Sequence, residues 1–146
     1  MEKRQERKEF QVPSELTEVQ KASASVFEFL EPLSLSEGVI FDIRLSLEEG
    51  LVNAIKYGNK FQKHVPVHIE VIYDTDQIKI RIEDKGPGFD PKILDDCTAG
   101  ENLLANHGRG VYLIRKLMDK VEYNAKGNCL TMVKSLHGGK HANKIV

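Results

Sequence analysis

Apolar positions recur along this chain in two rhythms, and the switches between them mark its elements. Residues 7–12 alternate, with Phe10 and Val12 on one face, and predict a short strand that Pro13 ends. Ser14 stands as a helix N-cap ahead of a helical-period run through Leu16, Val19, Val26, Phe27 and Leu30. Pro32 closes that helix. Ser36 stands as a second N-cap, and its helix is expected to run to about Tyr57, with Gly58 as the stop. One stripe of this helix carries Ile40, Ile43, Leu47, Leu51 and Ala54. Leu45 and Val52 lie on nearly the opposite side, with Glu49 and Asn53. A helix apolar on two sides is buried on two sides. Polar residues on its second buried side need partners, and a ligand can be one.

Residues 65–73 and 77–83 alternate and are rich in β-branched residues, and the short Asp74-Thr75-Asp76 link predicts a hairpin. Residues 85–108 have little periodicity, which in a compact domain points to a functional loop or disorder. A helix is expected from about Gly110 to Asp119. Two strands follow, Val121–Ala125 and Cys129–Ser135, joined by the hairpin signal Lys126-Gly127-Asn128. The tail from Leu136 reads as frayed. Hairpin-joined strands and three helices predict an α+β fold. The expected form is a two-layer sandwich whose mixed, mostly antiparallel sheet is covered on one face by helices.

Composition narrows the class. A chain of 146 residues, 40% hydrophobic and 29% charged, reads as one globular domain spanning 1–146. The net charge of -1 gives no bulk attraction to nucleic acid or to an anionic membrane. Residues 1–7 mix both signs, which suits a flexible solvated N-terminus. No apolar run approaches the ~18 residues of a membrane span, and no secretory signal is evident. Cys97 and Cys129 fit no zinc or redox spacing and read as free thiols, so a cytoplasmic location is expected.

Three short segments carry candidate chemistry. Glu49 and Asn53 are four apart, hence neighbours on a helix. Asn53 offers a neutral oxygen suited to Mg²⁺. Glu49 offers a carboxylate able to accept a proton from an attacking hydroxyl. Taken alone, the pair better suits an ordinary exposed helix face. Asp84 ends an alternating strand and precedes Gly86 and Gly88, which permit close ligand approach. Its carboxylate can accept from an exocyclic amine such as adenine's, although Asp-Lys-Gly also suits a plain turn. Gly108-Arg109-Gly110 precedes an apolar helix pattern, where backbone N–H groups bind phosphate readily. Arg109 or His107 can add charge-assisted contacts. A simple loop-to-helix join is the alternative.

In this order and spacing, the three segments resemble the boxes of the GHKL (Bergerat-fold) ATP-binding superfamily. Glu49 through Gly58 is similar to its asparagine box. Asp84-x-Gly86-x-Gly88 resembles the first glycine box, and Gly108-x-Gly110 with Val111, Tyr112, Leu113 and Ile114 resembles the second. Within the superfamily, the chain looks most like the free-standing anti-sigma-factor serine/threonine kinases of bacterial partner switching, the RsbW type.

The resemblance implies a set of roles. Asn53 would ligate Mg²⁺, and Glu49 would be the base that activates a serine hydroxyl on a protein substrate. Asp84 would hold the adenine amine, in a pocket shaped by Gly86 and Gly88. Gly108 and Gly110, with His107 and Arg109, would hold the phosphates of ATP, and residues 89–109 would form a lid. The implied partners are a small antagonist (anti-anti-sigma) protein, a sigma factor and a second copy of the chain. Two positions depart from the pattern. Gly50 follows the base and either permits a close contact or loosens the helix, at ~1 kcal/mol. Tyr57 replaces the histidine common before the box's final glycine. The competing reading is an ATP-ordered module that sequesters a regulator without phosphotransfer.

Overall fold

The computed structural model describes residues 4–87 and 105–137. Gly88, residues 89–104 of the lid expected over 89–109, Cys97 and the tail beyond His137 lie outside them, while residues 105–109 of that expected lid are helical.

Within the described residues, strand β1 (Glu6–Val12) is followed by helices α1 (Val19–Leu30) and α2 (Glu37–Asn53). The hairpin β2 (Val67–Tyr73) and β3 (Gln77–Glu83) comes next, then helix α3 (Ala105–Leu117) and the hairpin β4 (Lys120–Tyr123) and β5 (Cys129–Ser135). The strands form one sheet in the order β1-β2-β3-β5-β4, and all its pairings are antiparallel. The α+β architecture is therefore as expected, with no parallel pairing among the described residues. Asp74 sets the β2–β3 turn, its Oδ1 accepting from the N–H groups of Asp76 and Gln77 at 2.7 and 3.0 Å.

The core lies between the helices and one sheet face. Val67, Ile69 and Val71 of β2, and Ile78, Ile80 and Ile82 of β3, are buried on that face. They meet Ile43, Leu47 and Leu51 of α2 and Val26 and Leu30 of α1 in one cluster. Each fully buried aliphatic side chain contributes about 1.5–3 kcal/mol. Gly50 brings α2 down onto the sheet: a Cβ there would stand 2.7 Å from Ile82 Cδ1 and 3.3 Å from Leu130 Cδ2. The close contact, and not a loosened helix, is what this glycine provides.

The opposite sheet face is polar. Glu70 lies between Arg7 and Arg81 there, accepting from Arg7 Nε at 2.7 Å and standing 3.5 Å from Arg81 Nη1.

Several expected boundaries move. Ser14 caps nothing. It is fully buried, donates to Val65 O and accepts from Asn59 Nδ2, while the first helical turn is a 3-10 turn at Leu16–Glu18. Glu6 and Arg7 belong to β1 and not to a free N-terminus. Leu136 is buried and its N–H donates to Asp76 O, so the chain is still pinned there. α2 does end near Gly58, but through a π turn at Ala54–Gly58, with Asn59 N–H reaching back to Ala54 O at 2.8 Å. The third helix starts at Ala105, five residues before Gly110.

Candidate functional site

Helix α2 carries a polar stripe along one side. Asp42, Ser46, Glu49 and Asn53 recur at spacings of four, three and four, which places them on one face. That face meets α3. At one end, Lys134 Nζ of β5 joins Asp42 Oδ2 at 2.9 Å and donates to the last α3 carbonyl, Leu117 O, at 2.7 Å. At the other end, Gly110 sits against Glu49 and Asn53. A Cβ on Gly110 would lie 2.9 Å from Glu49 Oε2 and 3.0 Å from Asn53 Nδ2. The two helices therefore run antiparallel, with the glycine of α3 facing the two candidate residues of α2.

Asn53 is 8% exposed, and its Nδ2 has no hydrogen-bond partner among the described residues. A buried amide without a partner forfeits about 1–3 kcal/mol. A ligand in the adjoining cleft can recover it. That cleft, about 300 Å³, is lined by Glu49, Asn53, Lys56, Tyr57, Arg109 and Gly110, among others. Two carboxylate oxygens, a carboxamide and two cationic side chains thus share one opening. Such a donor set fits a divalent cation together with phosphate oxygens.

Asp84 lies just past the end of β3, on the same parity as the inward row Ile78, Ile80 and Ile82, and is 9% exposed. Burial pushes its carboxyl above the usual aspartate range; the Gly86 N–H opposes this, and Glu83 adds to it. That N–H donates to Oδ1 at 2.8 Å. Oδ2 has no donor among the described residues and stands ready for one. The glycines around the carboxylate leave it room. A Cβ on Gly58 would fall 2.2 Å from Asp84 Cγ, and one on Gly86 would fall 2.3 Å from Gly58 O. Gly58 is not in the left-handed region, so its smallness, not its backbone freedom, is what the site uses.

The structure thus brings Glu49, Asn53, Arg109 and Gly110 to one cleft, and sets Asp84 and Gly86 against Gly58, one residue beyond Tyr57 on its rim. His107 and Gly108 lie within α3, so the Gly108–Gly110 segment does not precede the helix as expected. The free N–H groups of a helix start belong here to the turn from Ala105. Sequence reasoning passed over Lys56, which stands three residues after Asn53 and seven after Glu49, on the same helical face. It also passed over Asp42 and Ser46, which the same periodicity would have found.

Among the described residues no helix is long and apolar enough to cross a membrane, and no group of three or more His, Cys, Asp or Glu could hold a metal ion.

Comparison with known proteins agrees with this fold. The chain is 29% identical over 126 residues to an anti-sigma F factor of Oceanobacillus iheyensis, spanning 82% of this chain and 85% of that protein. It is 24% identical over 134 residues to the serine-protein kinase RsbW of Listeria monocytogenes, covering 87% and 85% of the two chains. It is 33% identical over 104 residues to RsbW of Staphylococcus aureus, covering 65% of each. A crystal structure of the RsbU and RsbW domains of a Mycobacterium tuberculosis protein shares the fold. The TM-score is 0.60 at 12% identity, over 89% of this chain and 31% of that one. Residues 12–134 match the histidine kinase-like ATPase domain, and the chain belongs to that family.

Proposed function

We propose that this protein is an ATP-dependent serine/threonine kinase that phosphorylates a small antagonist protein and, by partner switching, controls a sigma factor. The carrying observation is the Glu49–Asn53 pair. It lies in a cleft with Lys56 and Arg109, at the end of a helix whose next turn abuts a buried carboxylate. That arrangement offers one end to a base and the other to phosphates. Relatives named anti-sigma F factor and serine-protein kinase RsbW support the reading.

Each residue then has a task. Asp84 Oδ2 accepts the adenine amine, and its ionised form is the one that binds. Gly58 and Gly86 keep the space around it, and Gly88 is assigned to the same pocket. Lys56 and Arg109 face the phosphates, joined by the α3 start with His107, Gly108 and Gly110. Asn53 would hold Mg²⁺, which supplies charge neutralisation on the phosphates. Glu49 takes the proton of the incoming serine hydroxyl as its oxygen attacks the γ-phosphorus. The bond to the bridging oxygen breaks, and ADP leaves with that electron pair. Residues 89–109 act as the lid, in a 1–146 catalytic unit that works as a homodimer in the cytoplasm.

The test is transfer of labelled γ-phosphate to a serine-bearing small protein encoded beside this one. Glu49→Gln is expected to abolish transfer while ATP and partner binding persist. A wild type that binds ATP and partner yet labels nothing would leave sequestration without catalysis as the function.

A further inference from the structure

The peptide unit between Asp84 and Lys85 is gripped from two sides. Its carbonyl, Asp84 O, accepts from Asn128 Nδ2 at 3.1 Å. Its N–H, on Lys85, donates to Asn59 Oδ1 at 2.7 Å. The two asparagines come from distant places: Asn128 from the β4–β5 turn, and Asn59 from the residue just after the π turn of α2. Asn59 is 4% exposed. Its other end is anchored as well, with Nδ2 donating to Ser14 Oγ and to Val65 O at 3.0 Å each. Both amide protons and the carbonyl oxygen of its side chain are therefore engaged in fixing one peptide relative to the end of β1 and the start of β2.

The placement is not a relaxed default. Lys60 and Phe61, which follow directly, both take left-handed backbone, at φ 51 and 60. Such backbone costs roughly 1–2 kcal/mol for a residue with a Cβ. The π turn and this bend together aim Asn59 inward at Lys85 and set Gly58 against the Asp84 carboxylate. The peptide that Asn59 holds is the one that leads from Asp84 to Gly86, the donor to Asp84 Oδ1.

We infer that Asn59 is a positioning residue for base recognition. With Asn128 it holds the Asp84–Lys85 peptide so that the Asp84 carboxylate faces the base at hydrogen-bonding range, and it thereby links the metal-side helix to the base-side turn. The inference rests on the adenine role proposed for Asp84. A purely structural asparagine would affect every nucleotide alike; a positioning one acts on the base contact.

The experiment compares Mg²⁺-dependent binding of ATP and inosine triphosphate, which has a carbonyl oxygen where adenine has its amine. Wild type, Asp84→Asn, Asn59→Ala and Asn128→Ala are measured in the full chain. Asn59→Ala is expected to lower the preference for ATP by about tenfold, the worth of one charge-assisted hydrogen bond, with inosine triphosphate binding held within about twofold. Equal losses for both nucleotides, or an unchanged ratio, overturn the inference. If Asn59→Ala shows no cooperative unfolding transition, Asn128→Ala is read in its place; a reduced ratio supports the inference and an unchanged one overturns it. Asp84→Asn separates the layers. Unchanged ATP affinity there defeats the base-reading role itself. A loss there beside an intact ratio in Asn59→Ala defeats the role of Asn59 alone.

Discussion

Gly58→Ala is the sharpest probe of the site, because it acts on one carboxylate and little else. The new Cβ would fall 2.2 Å from Asp84 Cγ, 2.4 Å from Oδ2 and 2.6 Å from Oδ1. Ordinary contact begins near 3.4 Å. The carboxylate must therefore retreat by about 1.2 Å, taken from these two distances, or swing to another rotamer. Either movement removes the hydrogen bond proposed between Asp84 and the adenine amine. A hydrogen bond to a charged group contributes about 1.5–3 kcal/mol. ATP affinity is thus expected to fall by about 10- to 150-fold. The fold should hardly notice. Gly58 lies outside the left-handed region, so alanine meets no backbone strain, and it lowers the entropy of the unfolded chain. Calorimetric titration with Mg·ATP, beside thermal unfolding without nucleotide, separates the two effects. An unchanged ATP affinity in a folded variant would refute the assignment of Asp84.

Further expectations follow from the same contacts. Lys134→Met removes the ammonium 2.9 Å from Asp42, which is 1% exposed, and should cost about 3–5 kcal/mol in denaturant unfolding; adding Asp42→Leu should recover much of it. Asp84→Asn should weaken ATP yet leave the apo protein at least as stable at neutral pH. The native carboxyl is raised above 3.8, so the native state binds more protons, and stability falls as pH rises from 3.8 through the native value. The asparagine variant should lack that decline in a pH series of unfolding midpoints. Glu70 behaves oppositely. Burial pushes its carboxyl up, but Arg7 and Arg81 outweigh burial and hold it below 4.5. Its stabilisation is complete above 4.5 and disappears as pH falls through the lower native value, so Glu70→Gln should flatten the acid limb of the stability curve. Gly110→Ala should lower Mg·ATP-dependent activity, because its Cβ meets Glu49 Oε2 and Asn53 Nδ2; full activity would show that α3 is free to shift away.

Much of this protein can be read from residue order. β-branched alternation locates β2, β3 and β5 to within two residues, because a strand with one buried face must repeat every two positions. Ser36 announces the start of α2, and its Oγ accepts from Val39 N–H at 3.3 Å. The four-residue spacing of Glu49 and Asn53 identifies a shared face whatever lies opposite. Ser14 shows the limit. Its local context suits a cap, yet a long-range hydrogen bond to Val65 and Asn59 wins. The start of α3 shows it again, since nothing in the Gly-rich segment signals helix before Gly110.

The sequence by itself determined the element types, the α+β class with a mostly antiparallel sheet, and which residues are proposed to bind a nucleotide and accept a proton. Those depend on side-chain chemistry and on local periodicity, which are properties of the chain alone. Tertiary structure decided which neighbours give those residues their character. Gly58 reads as a helix stop but serves as a gap for Asp84. Gly50 reads as a weakness but seats α2 on Ile82 and Leu130. Asn59 shows no periodic signal at all, because its task is to join three segments that only folding brings together.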